Sequence, residues 1–286
     1  DVKSKIKLRK LYQEAGLNCK PDEETVVAEH FVEYMTNLAA KAGGEPPLPE
    51  SPRTTLLDPI RGLAGNEMLA AILIEHDALK ERIGAWKDKA KLAEKRVPEW
   101  KTLTLLLDYA RSIPEATDLQ TEADAVREER LLLEESDPVP PIRDRGVKLL
   151  RAALKKAHSA TKETFDREMQ SLEKDKNWQA LKKADRERLL NEAGISPIGE
   201  ISIGDDASLI AALSERSLPV WATLADALPE RFRNVTLAAA KHFEPKTQSI
   251  KLKSGTLKTA ADVKTWLEQT EKDLLEKVKK GPIVVS

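Results

Sequence analysis

Cysteine and histidine are the first candidates for chemistry in this chain, because thiolate and imidazole groups serve as nucleophiles, bases and metal ligands. There is one cysteine, Cys19, and there are four histidines, His30, His76, His158 and His242. No two histidines have the close spacing of a zinc site, and none forms a convincing pair with the thiol. The sequence therefore predicts neither a metal site nor a cysteine nucleophile.

His76 and two pairs of neighbouring carboxylates are the remaining candidates for acid–base chemistry. His76 lies in an apolar helical stripe, where a histidine with its polar tip in water is commoner than a catalytic base. The pairs Glu128-Glu129 and Glu134-Glu135 occupy adjacent positions, which point about 100° apart on a helix and would not converge on one substrate. The chain also lacks a phosphate-binding glycine-rich loop and a nucleophile elbow. We therefore assign no catalytic, cofactor-binding or metal-binding residue.

The composition of the chain favours helices and a reducing compartment. Of its 286 residues, 47 are Lys or Arg and 48 are Asp or Glu, while 4% are aromatic and 12 are glycine. Abundant Ala, Leu, Glu, Lys and Arg with little glycine is typical of helical proteins. A single cysteine excludes a disulfide scaffold, and no run of apolar residues is long enough to span a membrane. We predict a cytoplasmic, mainly helical protein with no membrane partner.

Apolar residues recur at three- and four-residue spacing and predict a series of amphipathic helices. Pro98 is predicted to end one long helix and Pro229 to start another, because proline breaks a helix interior but suits a first turn. The stripe of the first of these helices has a rhythm close to a heptad and consists of Ile72, His76, Leu79, Ile83, Trp86, Ala90, Ala93 and Val97. The predicted helices cover residues 2–15, 22–42, 66–97, 100–110, 142–174, 185–193, 205–216, 219–228 and 229–243.

The C-terminal residues predict a strand, a helix and a second strand. Residues 248–253 alternate polar and apolar side chains as a strand does, and residues 283–285 predict a last short strand. Between them, Thr259 and Asp262 have the spacing of a capping box, which would open a helix that ends before Gly281. The predicted fold class is mainly α: an elongated multi-helix bundle with long heptad-like helices and a small C-terminal α/β unit of strand, helix and strand.

Proline-rich breaks divide these elements into three predicted regions. Residues 45–52 contain four prolines and predict a stiff linker, and the DPVPP segment, residues 137–141, predicts a second rigid break. The regions are an N-terminal helical region, a long-helix region, and a C-terminal helical and small α/β region; they cover residues 1–136, 142–193 and 195–286. The five tryptophans all lie near apolar helical positions and are predicted to anchor the core; they are Trp86, Trp100, Trp178, Trp221 and Trp266.

Charge is unevenly distributed along the chain. Residues 115–137 hold nine carboxylates and two arginines, residues 142–193 hold 14 basic and 9 acidic residues, and residues 246–280 hold 9 and 5. Basic helices could contact nucleic-acid phosphates, and the candidate contacts are Lys155, Lys156, Lys182 and Lys183. We favour the interpretation that interspersed lysines and glutamates keep long helices soluble, because no recognised nucleic-acid-binding motif accompanies the charge.

Several strings occur in the same order as in one protein family. They are LYQEAGLNCKPDEE (residues 11–24), GNEMLAAIL (65–73), DPVPP (137–141), ADRERLLNEAGI (184–195), LPERFR (228–233), FEPKTQSIKL (243–252) and TLKTAADVKTWLEQTEKDLLEKVKKGPIVVS (256–286). Together they resemble the C-terminal part of the large P-loop ATPase of bacteriophage exclusion (BREX) systems, the BrxC/PglY family. The resemblance spans the whole chain, and the order of the strings carries it more than any single string.

The resemblance implies a role in bacterial defence against phages, beside other BREX components that include an adenine methyltransferase marking host DNA. In that family the nucleotide-binding core lies N-terminal to such a region, and no position here matches its Walker motifs. ATP is therefore expected in a missing N-terminal part, and no cofactor is expected in this chain. Because the chain opens at Asp1 inside a helical pattern, we predict a piece of a longer protein. It would be a non-catalytic module that assembles with BREX components or with itself or, alternatively, binds DNA.

Overall fold

The computed structural model describes residues 2–51, 56–244, 247–252 and 256–285. These residues are mainly α-helical and include a small two-stranded sheet near the C-terminus, which confirms the predicted mainly α fold with a small α/β unit. None of the helices in these ranges combines the length and apolarity needed to cross a membrane. Residue 52 of the predicted linker and residue 253 of the predicted strand lie outside the described residues.

The helices are α1 (Val2–Glu14), α2 (Glu24–Lys41), α3 (Asp58–Arg61), α4 (Gly65–Ile74), α5 (His76–Ala110), α6 (Thr117–Glu128), α7 (Val139–Glu173), α8 (Lys176–Ala180), α9 (Lys183–Glu192), α10 (Asp206–Glu215), α11 (Leu218–Phe243) and α12 (Ala260–Val278). The strands are β1 (Gln248–Ile250) and β2 (Ile283–Val285). The chain divides into two compact units, unit one (Asp1–Leu150) and unit two (Arg151–Ser286). The three regions drawn from the proline-rich breaks stay a prediction.

The first core of unit one forms between α1, α2, α4 and the first half of α5. Tyr12 of α1 and Phe31 of α2 pack within it, with their ring centroids 5.1 Å apart. The apolar stripe predicted for α5 is confirmed over most of its length, since its buried members are Leu79, Ile83, Trp86, Ala90 and Ala93. Packing of this repeating face stabilises a helix whose intrinsic propensity alone would be marginal.

The proline-rich residues 45–51 lie within unit one, where Arg130 holds them. Arg130 has a left-handed backbone conformation with φ of 59°, just after α6. Its Nη1 group donates hydrogen bonds to the carbonyl oxygens of Gly44, at 2.8 Å, and Leu48, at 2.9 Å. The backbone N–H of Leu132 also donates to the carbonyl oxygen of Pro47. The stretch is therefore fixed along its length by a segment far away in sequence.

Pro98 and Pro229 do not interrupt helices, so both predicted helix boundaries are wrong. Pro98 lies inside α5 and Pro229 lies inside α11. A proline in a helix interior costs about 3 kcal/mol, but each helix buries a large aromatic side chain just beyond its proline, Trp100 and Phe232 respectively. Packing on both sides of the proline outweighs the missing hydrogen bond. The interruption of the long predicted helix falls instead at Glu75, between α4 and α5.

The helix predicted to begin at residue 142 begins three residues earlier, inside the DPVPP segment. Helix α7 begins at Val139, and the carboxylate of Asp137 accepts a hydrogen bond from the N–H of Val139 at 3.0 Å. Pro140 and Pro141 occupy the first turn, where a backbone N–H would have no partner within the helix. The absence of that N–H therefore costs nothing there.

The core of unit two forms between the second part of α7 and α8, α9 and α11. Phe165 of α7 and Phe232 of α11 meet edge-on with ring centroids 5.7 Å apart. Asp175 caps α8 by accepting a hydrogen bond from the N–H of Trp178 at 2.9 Å, which holds the buried Trp178 ring in this core. Four of the five tryptophans are buried, as predicted for core anchors, and Trp266 is half-buried.

The C-terminal part of unit two is a strand, a helix and a strand, as predicted. Strands β1 and β2 pair in parallel, with Gln248 opposite Ile283. The capping box before α12 is confirmed, because Thr259 Oγ1 accepts from the N–H of Asp262 at 3.1 Å and the carboxylate of Asp262 accepts from the N–H of Thr259 at 2.8 Å. The N–H groups of Lys258 and Thr259 both lower the pKa of Asp262 by stabilising its charged form.

Candidate interaction surfaces

The histidines take structural or exposed positions. His158 is buried, its Nε2–H donates to the carbonyl oxygen of Gly199 at 2.8 Å, and its ring meets that of Trp221 edge-on at 5.3 Å. His76 is half-buried at the start of α5, where its Nδ1 atom lies 2.7 Å from a carboxylate oxygen of Asp77. Over the residues that the structure describes, no three His, Cys, Asp or Glu side chains form a group that could hold a metal ion.

Cys19 lies in a setting that opposes thiolate formation. Its side chain is half-buried, and burial raises the pKa of the thiol, with a further contribution from the negative charge of Glu24. A protonated thiol is a poor nucleophile. Glu24 itself is buried, and its Oε1 atom lies 3.4 Å from Nε of Arg9. The charged groups near Cys19 therefore tie α1 to α2.

Arg96 ties α5 to the end of the acidic segment, just before α7. The Nη1 group of this buried arginine donates to the carbonyl oxygens of Leu132, at 3.0 Å, and Glu134, at 2.6 Å. Its Nε atom lies 3.1 Å from Oδ2 of Asp137. The side chains of Glu134 and Glu135 are exposed, and it is their backbone carbonyl oxygens that accept hydrogen bonds from Arg96.

Helix α12 covers the sheet with one side only. The side chains on this inner side, Trp266, Thr270 and Leu274, are half-buried. They line a small cavity of about 70 Å³ together with Ile250 and Leu252 from β1 and the residues after it. No residue of α12 is fully buried, so the helix rests on the sheet as an outer layer.

The flank of α12 next to this inner side carries large apolar side chains in contact with solvent. We call it the outer face of α12, and its members are Val263, Leu267, Leu275 and Val278. Leu267 is 54% exposed and Leu275 is 58% exposed. Sequence patterns placed no interaction residue on this helix, so the face was missed. The signal was available in the adjacent apolar pairs 266/267 and 274/275, since neighbouring residues cannot share one narrow face.

The four lysines proposed as phosphate contacts are all exposed. Lys155 and Lys156 lie on α7, Lys182 lies just before α9, and Lys183 lies in its first turn. Lys183 Nζ is 3.8 Å from a carboxylate oxygen of Glu187, whereas the other three form no ion pair with any described residue. Their positive charge is therefore directed at solvent.

Comparisons with protein-family models, with curated proteins and with solved structures find no match to this chain. The structure itself defines a mainly helical protein of two compact units, the second of which ends in a small strand, helix and strand. Its most distinctive surface is the outer face of α12, where apolar side chains of one helix remain uncovered by the described residues.

Proposed function

We propose that this chain is a non-catalytic helical module of a bacterial anti-phage defence ATPase of the BREX type, acting in the cytoplasm. In this proposal the module assembles the defence complex by recruiting another of its components. The observation that carries the proposal is the outer face of α12, because several large apolar side chains left exposed along one helix are typical of protein interaction sites. The ordered strings that resemble the BREX ATPase support the choice of complex, and ATP is assigned to the N-terminal part of that protein.

The surroundings of the chemically capable residues support a non-catalytic role. The imidazole of His158 is engaged by a backbone carbonyl, the thiol of Cys19 has a raised pKa, and the guanidinium of Arg96 is engaged by backbone carbonyls and Asp137. His158 and Arg96 are therefore engaged by contacts within the fold, and Cys19 is a poor nucleophile. An assembly role uses exposed side chains instead, and those of the outer face of α12 are available.

Capture experiments test this proposal. We expect the immobilised 286-residue chain to retain one of the other purified BREX components in the absence of DNA, and the Leu267→Glu variant to lose that component by at least about tenfold. The matched control is Val220→Glu, which places the same charge at another exposed apolar position in unit two and should retain it. Retention of no component, or ATP hydrolysis by the purified chain, would contradict the proposal.

Direct DNA binding is the second candidate function, and it is favoured by the three exposed lysines without ion pairs. If these residues contact phosphates, DNA retention by the chain should weaken steeply as salt rises, because bound counterions are released. Changing Lys155, Lys156, Lys182 and Lys183 to glutamate should then abolish retention at moderate salt. Retention of DNA by this variant at the wild-type level, or none by the wild-type chain, would remove the candidate.

A further inference from the structure

Lysines gather along one side of α1 in unit one. At about 100° per residue, an arc of about 60° on this helix contains three lysines and one carboxylate and no other residue of the helix. These residues are Lys3, Lys7, Lys10 and Glu14. The three lysines are exposed and form no ion pair with any described residue. Lys5 and Arg9 project from the opposite flank, where they contact carboxylates of α2 and of the loop before it.

Helix α5 borders this side of α1 and adds lysines of its own. Lys80 Nζ is 3.0 Å from a carboxylate oxygen of Glu14, and Lys87 Nζ donates to the carbonyl oxygen of Glu14 at 2.7 Å. Lys91 is exposed on the same flank of α5, and the three α5 lysines fall within an arc of about 40°. We call the combined set the lysine strip, and its members are Lys3, Lys7, Lys10, Lys80, Lys87 and Lys91.

The two rows of the lysine strip follow one line. The pKa of Asp77 is lowered by its hydrogen bond with His76 and also by the positive charge of Lys7, which places Lys7 beside the first turn of α5. The last residue of α1 contacts α5 one to three turns further on, so the two helices run in the same direction. At 1.5 Å per residue, the strip extends over about 25 Å.

Three carboxylates along the lysine strip neutralise it only in part. They are Glu14, Asp77 and Glu94, the last of which lies one turn beyond the final lysine. The first two are already engaged, by Lys80 and His76 respectively. The remaining carboxylates in this half of α5, Glu81 and Asp88, project about 60° or more from all three α5 lysines of the strip. Six lysines and three carboxylates therefore leave a net positive charge.

A straight row of ammonium groups suits a row of phosphates. Lysine binds phosphate as a point charge, and the length of the strip corresponds to about seven base pairs of duplex. The aromatic side chains beside it, Tyr12 and Trp86, are buried, so they provide no surface on which unpaired bases could stack. The strip also contains no arginine, the residue that most often reads base edges. These features favour the backbone of a duplex.

Other anionic partners require apolar contacts that α1 does not supply. Its apolar side chains Leu8, Leu11 and Tyr12 are buried in the core, and only Val2 and Ile6 are exposed large apolar side chains on this helix. A membrane-surface helix inserts a whole apolar face into the lipid. A protein interface is centred on a few buried aromatic or apolar side chains. Phosphate binding requires the positive charge alone.

We infer that the lysine strip binds the phosphate backbone of a nucleic-acid duplex without reading its sequence. The inference goes beyond the proposed assembly role and does not rest on it. It is also separate from the DNA-binding candidate described above, because the strip belongs to unit one and the lysines of that candidate belong to unit two. Contacts with phosphates carry no sequence information, and each releases bound counterions, so binding weakens as salt rises.

Salt titrations of the full chain with a fluorescent DNA duplex of about 20 base pairs measure this binding. Changing Lys3, Lys7 and Lys10 together to glutamine should reduce the slope of log affinity against log salt by about 2.7, because each phosphate contact contributes about 0.9. Lys91→Gln alone should reduce the slope by about 0.9, and it tests the α5 row with α1 intact. Both changes should weaken the binding of duplexes of different sequence equally, and an RNA duplex in parallel distinguishes the two nucleic acids.

The matched control changes Lys41, Lys89 and Lys148 to glutamine, which removes the same charge from exposed positions of unit one outside the strip. Its slope should equal that of the wild-type chain. An equal reduction in this control, unchanged slopes in the strip variants, or no duplex binding by the wild-type chain would overturn the inference. Binding to phosphatidylserine vesicles but to no duplex would also overturn it. Failure to capture any BREX component would contradict the proposed function and leave this inference standing, since duplex binding is measured with the chain alone.

Discussion

Replacing Arg96 with leucine should lower the free energy of unfolding of unit one by about 3 kcal/mol. Arg96 is only 6% exposed, and it joins α5 to the segment before α7 through the carbonyl oxygens of Leu132 and Glu134 and the carboxylate of Asp137. Leucine fills part of the space but donates no hydrogen bond. The variant therefore leaves a mostly buried carboxylate and at least one buried carbonyl oxygen without their donor, and each such group costs free energy.

Urea unfolding followed by circular dichroism measures this loss, with the two units fitted as separate transitions. The matched control is Arg82→Leu, which makes the same change at an exposed position of the same helix and should alter stability by less than about 0.5 kcal/mol. Arg96→Lys should recover only part of the stability, since an ammonium group cannot reproduce the planar set of donors. A loss below about 1 kcal/mol in Arg96→Leu would contradict the assigned role.

Replacing Phe232 with alanine should lower the free energy of unfolding of unit two by about 4 kcal/mol. Phe232 is 2% exposed, and its ring packs edge-on against Phe165 among the buried side chains of α7, α8 and α11. Truncation removes the apolar contact and leaves a cavity that the surrounding helices fill only in part. Pro229 lies one turn before this residue, so the same loss also weakens the packing that keeps α11 continuous.

Phe243 provides the matched control for this prediction, because it lies on the same helix and is 46% exposed. Phe243→Ala should change the stability of unit two by less than about 1 kcal/mol. Thermal and urea unfolding of both variants should show a clear separation between them, with the transition of unit one unchanged. Similar losses in the two variants would show that Phe232 is not part of the core that stabilises unit two.

The errors at the prolines show where sequence patterns stop being informative. The boundaries predicted at Pro98 and Pro229 took account only of the local cost of a proline inside a helix. The packing of Trp100 and Phe232 exceeds that cost. Whether an aromatic side chain beyond a proline is buried depends on helices far away in sequence. A local pattern contains no information about that burial, so helix boundaries at these prolines could not be predicted.

Arg96 and Arg130 were missed for the same reason. Each stands at a position where an arginine would ordinarily be a solvated surface charge, and neither has a local partner. The acceptors of Arg96 lie 36 to 39 residues later and those of Arg130 lie 82 and 86 residues earlier. Their hydrogen bonds are made with backbone carbonyl groups, which every residue type has, so no sequence motif marks them.

The sequence by itself determined the helical class, the buried stripe of α5, the capping box of α12 and the terminal strand, helix and strand. These features follow from side-chain periodicity and from hydrogen bonds between near neighbours, which are properties of a short segment. Only the tertiary structure decided that the prolines lie inside helices and that Arg96 and Arg130 bind distant loops. It also decided which side of α12 rests on the sheet and which side stays open. Burial depends on which segments meet in space, and that separates the covered Trp266 side of α12 from the exposed side that carries Leu267 and Leu275.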